Sequence, residues 1–111
     1  MKEADIFPLL NPVLPGKVFP YVAPQSTPPV KPPWLVFSLY DIDQDVLNGQ
    51  AGTLTNLQVD IYARTIDEAR ALRDKARSAL TGLRPTDLSE TNGYESDTGL
   101  YRATLECQIW Q

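Results

Sequence analysis

Three acids alternate at Asp41, Asp43 and Asp45, and a single thiol stands near the end of the chain at Cys107; these are the side chains whose type and spacing could do chemistry. Alternating aspartates open a calcium loop of the EF-hand kind, in which a glycine at position six makes the turn and a glutamate at position twelve completes the shell. Here those positions hold Val46 and Gly52, which rules that loop out. A solvated hairpin explains the acids better than a cation site does. Cys107 lies on the apolar face of the last strand and reads as a core side chain rather than a nucleophile. As the sole cysteine it offers neither an internal disulfide nor a cysteine zinc site. The absence of histidine removes Ser-His-Asp and Cys-His arrangements and any histidine general base. Gly49 and Gly52 form no phosphate-binding fingerprint. No metal and no cofactor is expected, and an enzyme working with carboxylates alone is the least supported class.

The elements that must position these residues are plainest across residues 53–82. Leu57, Val59 and Ile61 alternate with Gln58, Asp60 and Tyr62, the pattern of a strand with one buried face. From Ile66 the apolar residues fall at Ala69, Leu72, Ala76, Ala79, Leu80 and Leu83, which places one stripe along a helix over about 66–81. Thr65 with Glu68 forms a capping box, and Asp67 and Glu68 suit the positive end of the helix dipole. Gly82 is placed to close the helix in the left-handed conformation, with Pro85 preventing its resumption.

Before this unit, residues 3–10 predict a short helix with Ile6, Leu9 and Leu10 on one side, provided Pro8 lies in its first turn. Lys17, Val18 and Phe19 predict a brief strand that Pro20 stops. Residues 20–33, PYVAPQSTPPVKPP, hold too many prolines for a helix or central strand and read as an extended, partly polyproline-II loop. Residues 34–42, WLVFSLYDI, predict a well-buried strand, and Asn48-Gly49 a hairpin tip. A further strand is expected over 88–94, bulged at Asn92-Gly93. The last strand alternates Tyr101, Ala103, Leu105, Cys107 and Ile109 with Arg102, Thr104, Glu106 and Gln108. The expected fold is α+β: a small, mainly antiparallel sheet covered on one face by one long helix and a short N-terminal one.

The size of 111 residues suits one domain, residues 1–111. A net charge of −4 argues against binding nucleic acid by neutralising phosphates. The acidic start, MKEADIF, is unlike a signal peptide, and no apolar segment approaches the ~20 residues that cross a bilayer. A soluble protein made in a cytoplasm is expected. Pro29-Val-Lys-Pro32 matches the PxxP pattern, although packing or an oligomer contact is the commoner use of such a loop. Arg64, Arg70, Arg73, Lys75 and Arg77 make the long helix basic, and pairing with Asp74 on a solvated face is the plain reading, a subunit contact the other.

In order, the segments VFPYVAPQ, PPWLVFSLYDID, LQVDIYARTIDEARALRDKARSALTGL and DTGLYRATLECQIWQ resemble the tail-completion (tail terminator) family of long-tailed bacteriophages and prophages. The nearest matches are Asp60-Ile-Tyr62-Ala63 ahead of Glu68-Ala-Arg-Ala-Leu72, and Thr98-Gly-Leu-Tyr-Arg102 ahead of an alternating strand with a terminal aromatic. The resemblance covers nearly the whole chain and departs from the family pattern in the proline-rich loop 25–33. It implies a non-enzymatic virion protein, assembled in the bacterial host cytoplasm, that caps the head-proximal end of the tail tube, commonly as a hexameric ring, and joins it to the head. Its implied partners are further copies of itself, the tail tube protein and a head–tail connector, with DNA passing through unbound. On that reading Asp41, Asp43 and Asp45, or Glu90 and Asp97, face the lumen of the ring, where acids repel phosphate. Tyr21, Pro24, Pro28, Pro29 and Lys31 of the loop, with Arg73 and Arg77 of the helix, are then the candidate subunit or tube contacts. The competing readings are another connector or tube component, and a cellular module binding through its proline-rich loop.

Overall fold

A computed structural model describes residues 1–45 and 51–110. The expected hairpin tip at Asn48-Gly49 lies outside the described residues. Helix α1 (Glu3–Leu10) leads through a 3-10 turn to strand β1 (Val18–Pro20). Strands β2 (Trp34–Asp45) and β3 (Ala51–Ala63), helix α2 (Ile66–Ala79), and strands β4 (Thr86–Glu95) and β5 (Leu100–Trp110) follow. The five strands make one sheet in the order β1-β2-β3-β5-β4.

Period-two patterning decides which side chains the sheet buries. Leu35 stands opposite Ile61, Phe37 opposite Val59, and Val59 opposite Leu105, so that apolar side chains meet in cross-strand rows on one face. Over these rows lies α2, which contributes Ala69, Leu72 and Ala76, with Leu80 just past its end; α1 adds Ile6 and Leu10 beside β1. The Thr65 hydroxyl accepts the Glu68 backbone N–H at 3.1 Å, capping the first turn of α2.

Several expectations need correction. The sheet is mixed, because β1 pairs parallel to β2. Alternation reveals which face of a strand is buried and is silent on the direction of its neighbour. A parallel pair needs a long crossover, and residues 21–33 supply it. Helix α2 has 14 residues and stops at Ala79, short of the expected 81. Its continuation is a 3-10 turn, and Arg84 (φ 53°) rather than Gly82 takes the left-handed conformation. Pro85 bars Arg84 from continuing a right-handed turn. Pro8 sits inside α1 beyond its first turn.

Strand β4 is longer than 88–94, and its irregularity falls between Thr86 and Ser89 instead of at Asn92-Gly93. Gly93 keeps regular register opposite Arg102, so no bulge falls there; a Cβ would meet only the movable Arg102 guanidinium, at 3.1 Å. Strand β2 is well buried only through Phe37; Tyr40 and Ile42, on its other face, are exposed.

Candidate functional site

With α1 and α2 on one face of the sheet, the other face is left open, and the candidate residues divide between the two sides. On the helical side Asp41 stands opposite Thr55, whose hydroxyl donates to its carboxylate at 2.6 Å, and the Met1 amino group lies 3.8 Å away. Asp43 and Asp45 occupy the end of β2, paired through the backbone with Thr53 and Ala51. Glu90 receives Arg77 at 2.8 Å and Arg73 at 3.4 Å. Asp97 lies apart, exposed in the turn between β4 and β5. The two suggested acidic groups are therefore separate, and Glu90 is already matched by two cations.

Arg73 is buried, pointing into the domain. Its Nη1 donates to the Thr91 carbonyl at 2.9 Å and to Asn92 Oδ1 at 2.8 Å. Arg77 is half exposed. Both arginines pair across to β4 rather than with Asp74 on their own helix. This arrangement was not legible in the sequence, because the partners are far apart along the chain and β4 carries no periodic signal pointing at the helix.

The proline-rich arm begins at Tyr21, which is held in the left-handed region (φ 67°) while its N–H continues the ladder to the Phe37 carbonyl at 2.8 Å. Its hydroxyl donates to Glu3 at 2.7 Å; that bond lowers the Glu3 pKa and raises that of Tyr21. From there the arm folds past the Trp34 end of the open face, where Trp34 stacks on Tyr62 with ring centroids 5.5 Å apart. Burial is the main cause that raises the Tyr62 pKa. Pro24, Pro28, Pro29 and Lys31 are exposed along the arm, and the Lys31 carbonyl accepts Lys17 Nζ at 3.1 Å.

Along the middle of the open face runs a polar row. Gln58 and Thr104 both donate to Asp60, at 2.9 and 2.5 Å, and Gln108 donates to Asn56 Oδ1 at 3.4 Å. Next to it is a shallow depression of about 270 Å³ lined by Ser38, Tyr40, Asn56, Leu57, Gln58 and Glu106. Asn56 Nδ2 is enclosed there with no hydrogen-bond partner among the described residues. Beyond the depression Ile42, Leu54 and Trp110 form a cross-strand row, with Trp110 exposed. Reading 34–42 as buried throughout hid this patch; the polar even-numbered residues of β3 were the available signal that this face lacks a cover. Cys107 lies on the helical side, where burial pushes its thiol up to about 11.

Nothing in this geometry converges on a reacting centre among the described residues; what it presents is surface. The family model of tail completion protein gp17 matches residues 8–111. The chain belongs to this tail-completion family. A gp17-type tail completion protein is a structural component of a phage tail, and of the virion, working among other tail proteins. Among solved structures, a chain from the virion of a native gene transfer agent (GTA) particle superposes with a TM-score of 0.55 at 12% identity, covering 92% of this chain and 84% of that one, which shows a shared fold. No curated protein sequence matches the chain.

Proposed function

We propose that this tail completion protein closes the head-proximal end of the tail tube as one subunit of a ring, a hexamer as the family resemblance implies, and offers the surface to which the head is joined. The observation that carries the reading is the pair of unlike edges on its sheet. On one side β4 leaves its outer edge unpaired along Thr86–Glu95 among the described residues. On the other, β2 runs well beyond Pro20↔Phe37, where its pairing with β1 ends. Two different patches on opposite sides of one subunit are what a head-to-tail contact uses, and rotation then closes a ring.

In such a ring the β2–β3 hairpin, bearing Asp41, Asp43 and Asp45, faces the lumen, where negative charge keeps DNA from sticking. Glu90 serves that purpose less well, being matched by Arg73 and Arg77. The arm with Tyr21, Pro24, Pro28, Pro29 and Lys31, and the exposed flank of α2 at Arg77, are the subunit or tube contacts. The role is mechanical rather than catalytic. Electron microscopy of particles made without the protein tests this: tails of abnormal length or heads lacking tails are expected. Normal tails joined to heads in its absence would refute it. For the lumen, Asp43→Asn with Asp45→Asn should impair DNA passage and infectivity in otherwise complete particles; unchanged infectivity would remove the hairpin from the channel.

A further inference from the structure

We propose that the proline-rich arm of one copy, residues 22–31, docks on the open sheet face of a second copy, in the depression between Tyr40 and Glu106; this rests on the ring reading above and names its contact. Four observations converge on it. Tyr40 is 63% exposed and Trp110 56%, in adjoining cross-strand rows next to Ile42 at 37%, an apolar and aromatic surface of the kind that receives polyproline-II segments. The arm is rich in proline, with Pro24, Pro28 and Pro29 exposed, and Val22 stands 68% exposed on it. Asn56 Nδ2 is an enclosed donor without an acceptor, bordering the same depression, and a proline-rich arm brings backbone carbonyls that no ladder uses. The charges also match: Glu106 lines the depression, Lys31 is exposed on the arm, and neither forms an ion pair among the described residues.

Within one chain the arm packs beside Trp34 and lines no part of the Tyr40–Glu106 depression, so the contact proposed is with a second copy. The arm of each chain lies at the Trp34 end of β2, whereas Tyr40 and Ile42 lie further along that strand and Trp110 beyond them across the sheet. Arm and receptor are separate patches on one face, so the contact joins the arm of one copy to the strand rows of another.

A photo-crosslinking residue in place of Ser38, which lines the same depression, in protein assembled into tails, tests the proposal directly. Cross-links to residues 22–31 of another copy are expected. Charge exchange gives the second reading: Glu106→Lys or Lys31→Glu alone should lower inter-copy cross-linking at least ten-fold, and the two together should restore it. Cross-links that map elsewhere on a second copy or to the tube protein, or a double variant that is not rescued, would overturn the proposal while the ring remains visible in the micrographs. Completed tails that carry no ring would overturn both this contact and the reading beneath it.

Discussion

The Arg73 guanidinium on α2 lies 3.4 Å from the Glu90 carboxylate on β4 and also donates to Thr91 and Asn92, so one side chain ties the helix to the edge strand at three successive residues. Strand β4 needs this tie. It places no residue in the main apolar cluster, and Leu88 alone packs partly against it. Besides its ladder to β5, the Tyr94–Tyr101 ring contact and Leu88, the arginine side chains hold the strand to the helix.

Replacing Arg73 with methionine keeps most of the volume and removes those bonds. Hydrogen bonds from a charged group contribute about 1.5–3 kcal/mol, so Arg73→Met should lower unfolding stability by about 2–3 kcal/mol. Arg77→Ala, which removes a half-exposed ion pair, should cost less than about 1 kcal/mol. Urea denaturation of both variants checks the ratio, and hydrogen exchange should locate the loosening in β4.

Two aromatic residues on β2 separate folding from assembly. Phe37 is fully buried and Tyr40 is not. Phe37→Ala should cost about 3–5 kcal/mol, whereas Tyr40→Ala should stay within about 0.5 kcal/mol of the parent and lose incorporation into tails. Thermal unfolding and tail assembly, measured on the same two variants, should move independently.

The N-cap of α2 gives a smaller, local effect. Thr65→Ala leaves the Glu68 N–H without its acceptor and should lower stability by about 1 kcal/mol. Thr65→Ser should recover nearly all of it, as read by the denaturation midpoint.

Cys107 sets an alkaline limit. Burial raises its pKa from 9.0 to about 11, so the folded state favours the neutral thiol. The resulting contribution to stability is full below pH 9 and is lost as pH rises through about 11. Unfolding midpoints of the parent and Cys107→Ala should therefore differ least at high pH. At pH 8 iodoacetamide should leave the native thiol largely intact and modify it once denaturant is added.

The helical side of the fold was legible because burial there repeats with a helical or strand period: Leu57-Val59-Ile61, the Ala69-Leu72-Ala76 stripe and the Ala103–Ile109 alternation all lie where the sequence puts them. Strand direction was not legible, since β1 is short and its parallel partner lies beyond the proline-rich crossover. Arg73 read as a surface cation because helical spacing reports which side of a helix a residue occupies and not whether a neighbouring strand covers that side. Asp41 was visible as an acid, but not its bond to Thr55, which depends on hairpin register. The open-face patch was missed for a related reason. A strand such as WLVFSLYDI carries apolar residues on both sides, and sequence alone does not tell a core from a seat for another chain.

The uncovered face has a bearing on the life of the subunit before it is built into anything. Its hydrogen-bonding groups are spent largely on one another, Gln58 and Thr104 on Asp60 and Gln108 on Asn56. Such a face can meet another protein without first surrendering many bonds to water, yet its polar stripe interrupts the greasy surface that would otherwise make newly synthesised copies clump. The same row of side chains thereby limits self-association of this face and leaves it open to a partner.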